Sequence, residues 1–334
     1  MKTIKWIIFI LIGIVVFLLI IAAFQPSHKE YSSSVSVKSS PRIPYTLVNN
    51  MKNWEKWSPF QEGDTAMIVE YTGPEAGVGA AMSWISKKQG NGSMTIFGSI
   101  YDKKVSYLLD FGMGHKDTSW FMLDRTPDGT NVTWASKFIN IKYPVGRIMW
   151  LFAGGMMDKA YQKGLDNLKQ AVESKPADCK TSEIKEIIVP AQVFIAVTDT
   201  ITTQQIGEFL GHAYGKISQF IATKGLKMTG MPVAFYNGDP TQPTWIVTAA
   251  MPVLKAPGKI GDGLTVMTTT EQKVVSASHF GDYSTSPDSY YKLEDYMKEK
   301  GLMVAGSPWE EYVNDPTTLA DPMQIETRIY FPVK

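Results

Sequence analysis

Two adjacent glutamates stand between aromatic residues in the segment Trp309-Glu310-Glu311-Tyr312, near the end of the chain. A carboxylate beside aromatic rings can hold a lipophilic cation, because its charge and the ring quadrupoles attract the same positive group. Successive residues of a strand point to opposite faces of the sheet, so one of the two glutamates points inward and the other is simply solvated. The residues alone leave open which one points inward.

Two parts of the C-terminal half of the chain are related by a constant offset of 76 residues. Laying Tyr214–Pro240 over Tyr290–Pro316 without a gap gives a series of identities, which indicates that one supersecondary unit has been duplicated. The identical pairs are Tyr214 with Tyr290, Lys216 with Lys292, Lys224 with Lys300, Gly225 with Gly301, Leu226 with Leu302, Gly230 with Gly306, Pro232 with Pro308, Tyr236 with Tyr312, and Asp239-Pro240 with Asp315-Pro316. The seam between two such copies is a natural place for a pocket. Ala234 stands where the second copy has Glu310, so this pocket is expected to be chemically asymmetric.

The composition is that of a globular chain, with 44% hydrophobic residues and a formal charge of +1 over 334 residues. Two domains of ordinary size are expected from that length. Lys and Arg number 33 against 32 Asp and Glu, so no basic excess is present for phosphates, and direct nucleic-acid binding is not expected. The single cysteine, Cys179, excludes an internal disulfide framework and a multi-cysteine metal site, and it is expected in a linker.

No metal site and no cofactor are expected from the residue types and spacings. The histidines form no His-x-x-x-His pair and have no set of neighbouring carboxylates at metal spacing, so we interpret them as satisfied or exposed. These histidines are His28, His115, His212 and His279. The Gly77-x-Gly79 pair precedes a strand and lacks the Gly-Lys-Ser/Thr of a phosphate loop, which indicates a turn.

The N-terminus contains an uncharged run of 19 residues, Trp6 to Phe24. At about 1.5 Å per residue, such a helix crosses a hydrocarbon core of roughly 30 Å. The alternative is a cleaved signal peptide, whose apolar core is usually shorter, about 7–15 residues. Lys2 and Lys5 precede the run, whereas Lys29 is followed by Glu30. The positive-inside rule then predicts that the soluble domains lie on the non-cytoplasmic side. We interpret the chain as a single-pass protein of a bacterial inner membrane.

The region after the anchor has the pattern of an antiparallel sheet followed by a long helix. A short helical segment with Val48, Met51, Trp54 and Trp57 comes first. The predicted strands are Met67–Tyr71, Ala80–Ser86, Ser93–Ile100, Val105–Phe111, Ser119–Asp124 and Asn131–Phe138. Gly146–Glu173 is predicted to be a helix whose apolar side contains Met149, Leu151, Phe152, Met156, Met157, Tyr161, Leu165 and Leu168.

This region resembles the START-like, polyketide-cyclase-like (SRPBCC) superfamily. The resemblance lies in Asn53-Trp54-Glu55-Lys56-Trp57-Ser58-Pro59, Gly77-Val78-Gly79-Ala80 with Trp84, Gly129-Thr130-Asn131-Val132-Thr133-Trp134, and the helix end Gly164-Leu165 to Leu168-Lys169. It implies a helix-grip fold, in which the long helix lies across a curved sheet and can enclose an apolar cavity. Trp54, Trp57, Trp84, Trp120 and Trp134 either line such a cavity or pack a core, and core packing is the more common role.

The last region contains two β-α-β-β units in succession. Their first strands are predicted at Gln192–Val197 and Gln272–His279. In the second helix, Ser286 is predicted as the N-cap, Pro287 as the first helical residue and Gly301 as the residue that ends the helix. The two Asp-Pro pairs are expected in hairpin turns. The helices carry inward stripes, formed by Ile206, Leu210, Tyr214, Ile217 and Ile221 in the first and by Tyr290, Leu293, Tyr296 and Met297 in the second.

Residues Ile188–Val333 resemble the GyrI-like small-molecule-binding domain, an effector-binding module also found in AraC- and MerR-type transcription regulators. The resemblance lies in Gly281-Asp282-Tyr283, the Gly301-Leu302 to Gly306 turn, Trp309-Glu310-Glu311-Tyr312-Val313-Asn314-Asp315-Pro316, and Ile329-Tyr330-Phe331-Pro332-Val333. It implies that Glu310 faces the pocket between the copies. The ligand contacts expected around Glu310 are Trp309, Tyr312, Tyr283 and Tyr236.

These features together predict an α+β protein with a transmembrane anchor at 1–26, a START-like domain at 27–178 and a duplicated GyrI-like domain at 179–334. The principal hypothesis is a membrane-anchored protein that binds an amphipathic or cationic small molecule. One alternative is a hydrolase of small electrophiles, which the GyrI-like resemblance suggests and in which Glu310 activates water. A second alternative is a carrier that moves a lipid-like ligand through the START-like cavity. No protein partner is indicated by the sequence.

Overall fold

A computed structural model describes residues 2–112, 114–238 and 244–334. The chain divides into two units, Met1–Lys175 and Pro176–Lys334, each built around its own antiparallel sheet. The predicted α+β fold is therefore confirmed. The first Asp-Pro pair, Asp239-Pro240, lies outside the described residues.

The first helix, α1 (Lys2–Phe24), carries the apolar run at the N-terminus. Its segment Ile4–Phe24 is long and apolar enough to cross a membrane. Most of its side chains are exposed, so the helix is not the core element of either unit. That exposure distinguishes it from a buried helix of similar composition.

The sheet of the first unit has seven strands in the order β1-β7-β6-β5-β4-β3-β2. These strands are β1 (Lys29–Val37), β2 (Ile68–Thr72), β3 (Ala81–Ile85), β4 (Gly92–Ile100), β5 (Lys104–Asp110), β6 (Lys116–Thr126) and β7 (Gly129–Phe138). All six strands predicted after Met67 are confirmed, with ends that differ by a few residues. Alternating burial along β5 and β6 shows why the period-two pattern identified them.

The core of the first unit lies between this sheet and several helices. The helical elements are α2 (Arg42–Asn49), a 3-10 turn at Met51–Lys56, α3 (Pro59–Gly63) and α4 (Val145–Glu173). On α4, Tyr161, Leu165 and Leu168 are buried in the core as predicted. The prediction that Met149, Leu151 and Met156 share that buried side was wrong, because all three are exposed. The fully buried core residues of α4 lie in its second half, whereas in its first half Trp150 stacks on Tyr31 of β1 and Met157 is partly buried against the core. A helical period cannot show how much of a helix the sheet covers.

Among the described residues the sheet of the second unit has nine strands, of which eight follow the order β13-β10-β12-β11-β15-β16-β14-β8, while β9 also pairs with β14. Their bounds are β8 (Cys179–Thr181), β9 (Lys185–Val189), β10 (Val193–Thr202), β11 (Val233–Asn237), β12 (Thr244–Val253), β13 (Thr265–Thr268), β14 (Gln272–Gly281), β15 (Trp309–Tyr312) and β16 (Glu326–Pro332). Helix α5 (Ile206–Thr223) packs on β10 and β12, and α6 (Pro287–Lys300) packs on β14 and β8. The two β-α-β-β units meet where β11 pairs with β15. Duplication as the origin of this arrangement stays an interpretation of the sequence.

Helix α6 begins and ends largely at the residues predicted. Pro287 is the first helical residue, and Gly301 ends the helix in the left-handed conformation with a φ of 68°. Ser286 stands at the N-cap position, but its side chain makes no capping hydrogen bond. A 3-10 turn at Tyr283–Thr285 comes first, and Asp282 caps that turn. Asp315 likewise caps a 3-10 turn, so the second Asp-Pro pair lies in the connection between the paired antiparallel strands β15 and β16.

Cys179 lies in a strand, so the prediction that it belongs to a linker was wrong. It pairs with Gly281 at the edge of the sheet, in the three-residue strand β8. A strand this short has no detectable alternation of polar and apolar residues. Its pairing with β14 is what places it in the sheet.

Candidate functional site

Glu310 lies at the junction of the two β-α-β-β units, on β15. Its backbone pairs with that of Ala234 on β11, and its side chain is only 8% exposed. On the other side it pairs with Ile329 of β16, whose side chain is buried with Leu293 of α6. Glu310 therefore points to the helix-covered face of the sheet, at the position where the two β-α-β-β units adjoin.

Three tyrosine hydroxyls donate hydrogen bonds to the Glu310 carboxylate. The Tyr290 hydroxyl donates to Oε1 at 2.9 Å, and the Tyr312 hydroxyl donates to Oε2 at 2.8 Å. The Tyr236 hydroxyl lies 3.3 Å from Oε2 and 2.8 Å from the Tyr312 hydroxyl. Both carboxylate oxygens are thus coordinated by phenol groups from three different elements, α6, β15 and β11.

Two further tyrosines border this group. The Tyr283 ring packs edge-on against the Tyr312 ring at 5.6 Å, and Tyr283 is 40% exposed. The Tyr214 ring, on α5, lies 6.2 Å from the Tyr312 ring. The Tyr214 hydroxyl is buried without a hydrogen-bond partner among the described residues. We call Glu310 and the five tyrosines 214, 236, 283, 290 and 312 the tyrosine cluster.

The structure brings together four of the five predicted site residues and separates Trp309 from them. Trp309 lies on the opposite face of the sheet, stacked on Tyr330 at 5.0 Å and packed against Phe235 at 5.6 Å. Glu311 shares that face, where its carboxylate accepts hydrogen bonds from Arg328 and Tyr330. The alternation of a strand requires this result, because residues 309 and 310 cannot point to the same side.

Two members of the cluster, Tyr290 and Tyr214, were predicted only as helix-packing residues. Both belong to the inward stripes of their helices, and both are paired by the offset that relates the two copies. The sequence signal was therefore present in the repeat, in which Tyr214 matches Tyr290 as Tyr236 matches Tyr312. Sequence spacing could not show that the inward stripes of the two helices lie close to the Glu310 carboxylate.

Burial raises the pKa of the Glu310 carboxyl above its ordinary value, while the hydrogen bonds from Tyr312, Tyr290 and Tyr236 lower it in part. The pKa values of these three hydroxyls lie well above their ordinary value, first because of burial and then because of the nearby Glu310 charge. The phenols therefore remain protonated donors at neutral pH. Chemically, the arrangement can stabilise an anionic carboxylate, attract a cation, or exchange a proton.

One of the two histidines in this unit, His279, has a structural role. His279 is fully buried, with its Nδ1 2.8 Å from the Ser289 hydroxyl and its Nε2 3.0 Å from the Thr285 hydroxyl. Among the described residues, Asp178, Cys179 and Asp288 bring three potential metal-ligand atoms close together at the surface. Exposed acidic groups commonly approach one another without an ion, so this grouping alone identifies no metal site.

The interior of the first unit is filled by aromatic rings. Trp134 stacks on Tyr161 at 4.3 Å and on Phe121 at 5.1 Å, and Trp54 and Trp57 lie 4.4 Å apart. All five side chains are buried. A depression of about 310 Å³ lies on the other face of the sheet, where its lining includes Glu30, Trp120 and Asp124. The tryptophans between the sheet and α4 are therefore core residues.

Comparisons with known proteins agree with this division of the chain. Residues 28–173 match the family described as polyketide cyclase / dehydrase and lipid transport, and residues 182–334 match the GyrI-like small molecule binding domain. A comparison with curated proteins found no match.

Several solved structures are similar to part of the chain. The C-terminal domain of EcmrR is 18% identical, with a TM-score of 0.39, over 46% of this chain and 97% of that one. An uncharacterized conserved protein from Listeria innocua is 14% identical, with a TM-score of 0.37, over 46% and 92%. A hydrolase from Listeria innocua is 15% identical, with a TM-score of 0.34, over 50% and 97%. On the two family matches alone, the chain consists of a polyketide-cyclase-like (SRPBCC) domain followed by a GyrI-like domain.

Proposed function

We propose that the GyrI-like domain binds a small amphipathic cation at Glu310, and that α1 anchors the chain to a membrane. The observation that supports binding is a buried carboxylate surrounded by tyrosines and without a cationic partner. No salt bridge within the described part of the chain involves Glu310, whereas its neighbour Glu311 pairs with Arg328 at 3.3 Å. The small-molecule-binding role of the GyrI-like family supports the same proposal.

A buried negative charge that is stabilised only by hydrogen bonds attracts a cation strongly, because the surroundings screen the charge poorly. Tyrosine rings add attraction through their negative faces. An amphipathic cation satisfies both, since its apolar part can lie against the rings of Tyr214 and Tyr312. The partly exposed ring of Tyr283 lies on the solvent side of this group, and the buried Tyr214 hydroxyl offers a further hydrogen bond to the ligand.

Membrane anchoring rests on α1. Its apolar segment spans 21 residues, and almost none of its most apolar part is buried by the rest of the protein. At about 1.5 Å per residue that length matches the hydrocarbon core of a bilayer. Lys2 and Lys5 precede most of this segment, and by the positive-inside rule they favour an orientation with both domains on the non-cytoplasmic side of a bacterial inner membrane.

Equilibrium binding to the full chain in detergent tests the proposed site. The probe is tetraphenylphosphonium, and triphenylphosphine oxide serves as a neutral compound of similar shape. We expect Glu310→Gln to weaken binding of the cation at least tenfold, a loss of about 1.4 kcal/mol, while leaving the neutral compound unaffected. Glu311→Gln is the matched control, because Glu311 faces the other side of the sheet. Equal binding of the cation by both variants and the wild type contradicts the proposal.

A hydrolase is the second candidate, supported by the raised pKa of Glu310. Burial moves the pKa of this carboxyl toward the range in which a general base activates water near neutral pH. This candidate predicts that Glu310→Gln loses turnover of a small electrophile but keeps its affinity. Absence of turnover by the wild type across epoxides, lactones and activated esters eliminates it. The carrier alternative has less support, because packed aromatic rings fill the interior of the first domain.

A further inference from the structure

Helix α4 exposes apolar side chains in its first half and polar side chains in its second half. In the first half Val145, Met149 and Met156 are 67%, 61% and 73% exposed. At about 100° per residue these three lie within roughly 40° of one another around the helix, so they form one strip. We call these three residues the α4 strip. The exposed positions of the second half, from Asp158 onward, are Asp158, Lys159, Gln162, Lys163, Asp166, Gln170 and Glu173.

The composition of the helix changes in the same place. From Ile148 to Met157 the sequence contains no charged residue, and Asp158 and Lys159 follow immediately. Gln170 lies on the same side of α4 as the α4 strip. That side of the helix is therefore apolar in its first half and polar in its second half. In water such an exposed apolar strip is unfavourable, which indicates that a partner covers it.

The start of α4 packs against the end of α1, within the first unit. The Tyr143 hydroxyl donates to the Leu19 carbonyl at 3.4 Å. The Arg147 guanidinium donates to the carbonyls of Ala22 and Ala23 at 3.5 and 3.4 Å. A cation at the C-terminal end of a helix complements the helix dipole. These contacts fix the beginning of α4 beside the point where α1 ends.

This contact sets the depth of α4 relative to a bilayer that α1 crosses. Leu19 precedes the last residue of α1, Phe24, by five positions, or about 7 Å along the axis. Tyr143 therefore reaches the level of the headgroup boundary, where tyrosine is commonly found, and Arg147 can extend toward the headgroups. The first turns of α4 begin at that same level.

We propose that the α4 strip lies in the interface of the bilayer that α1 crosses, so that the first domain contacts lipid through Val145, Met149 and Met156. Apolar side chains of an interfacial helix enter about 5–10 Å between headgroups and acyl chains. The bilayer is favoured as occupant because the strip is continuous with a helix that is itself suited to lipid. This inference rests on the proposed anchoring by α1.

Depth-dependent quenching in the full chain tests the inference. The native thiol is removed by Cys179→Ser, and Met149→Cys and Met156→Cys each receive an environment-sensitive fluorophore in phosphatidylcholine/phosphatidylglycerol vesicles. Gln170→Cys is the matched control, since it lies on the same side of α4 about 21 Å beyond Met156. Ile12→Cys, in the middle of α1, reports on anchoring independently. All three α4 positions are exposed, so the labels disturb no packed side chain.

We expect lipids with a nitroxide near the headgroup to quench the probes at 149 and 156 by roughly half, and to leave the probe at 170 unquenched. A nitroxide deep in the acyl chain is expected to quench the probe at Ile12. If Ile12 is quenched while positions 149 and 156 behave like 170, the α4 inference is wrong and the anchoring stands. If Ile12 is not quenched, both are wrong. Disulfide formation between chains of the unlabelled Met149→Cys variant, together with no lipid quenching of the labelled variant, overturns the inference in favour of a second copy as occupant.

Discussion

The hydroxyl oxygens of Tyr236 and Tyr312 lie 2.8 Å apart, although the residues are separated by 76 positions in the sequence. Each occupies the same position in its own β-α-β-β unit, and the two meet across the pairing of β11 with β15. Ala234 stands opposite Glu310 in this pairing, so two equivalent tyrosines serve a single carboxylate. A second carboxylate at position 234 would place two negative charges together. The asymmetry therefore allows a single charge to be held by donors from both units.

The two tyrosines are predicted to contribute unequally and interdependently to stability. Tyr312→Phe is expected to cost about 1.5–3 kcal/mol, because it removes a short hydrogen bond to a charged group. Tyr236→Phe is expected to cost less, since its hydroxyl is 3.3 Å from the carboxylate. The double variant should lose less than the sum, by about 0.5–3 kcal/mol, because the pair share one acceptor. Hydrogen exchange of the paired amides of β11 and β15 reports on this domain alone, and simple additivity contradicts the prediction.

Tyr290→Phe is predicted to move the pKa of Glu310 further above its ordinary value. The Tyr290 hydroxyl donates to Oε1 and thereby stabilises the ionised form, so its loss favours the protonated form. Carbon-13 NMR of the labelled carboxyl group measures the change directly. Tyr296→Phe is the matched control on the same helix, because the Tyr296 hydroxyl donates to Glu186 at 3.1 Å instead. An equal effect of both variants is inconsistent with a specific bond to Glu310.

The raised pKa of Glu310 predicts opposite pH dependences for stability and for cation binding. Burial raises the folded-state pKa above the ordinary value of 4.5, so the folded protein binds this proton more tightly than the unfolded chain does. Its contribution to stability is complete below about pH 4.5 and is lost as the pH rises through the folded-state pKa. The free energy of unfolding of Glu310→Gln, relative to wild type, should therefore increase across that window and then level off.

Cation binding requires the ionised carboxylate, so it is expected to strengthen over the same pH window. Binding of tetraphenylphosphonium by the full chain, measured at several pH values, tests this half of the prediction. Triphenylphosphine oxide carries no charge and should bind equally throughout. Cation affinity that stays constant from pH 4 to 8 means that Glu310 does not provide the counter-charge.

The sequence predicted those features that depend on local periodicity. The strands of the first domain are long and half-buried, so the alternation along β5 and β6 identified them. The short strand β8 has only three residues, too few for a period, and becomes a strand through pairing with β14. For α4, the spacing gave the helix but not the extent of its buried side, because that depends on which neighbours reach it.

The residues of the site were predictable in part, and the errors in that prediction have physical causes. Alternation along β15 was used to separate Glu310 from Glu311, and the same rule also places Trp309 away from Glu310. Tyr290 was recognised as an inward-facing residue, yet whether its hydroxyl meets a carboxylate depends on how α6 lies on the sheet. Contacts between side chains from distant segments depend on tertiary packing. The spacing of residues within one helix or strand does not predict them.

Two glycines of α4 are predicted to respond to alanine substitution with opposite signs. A Cβ at Gly164 would lie 2.8 Å from Cζ3 of the buried Trp134 and 2.9 Å from Cδ of the half-buried Pro59. Gly155 has no such neighbour within 4 Å. Alanine favours a helix over glycine by about 1 kcal/mol, so Gly155→Ala should stabilise the first domain by about that amount. At Gly164 the clash should outweigh this gain and give a net loss of about 1–3 kcal/mol. Hydrogen exchange of α4 and β7 measures both changes, and stabilisation by Gly164→Ala would show that helix and sheet can separate without cost.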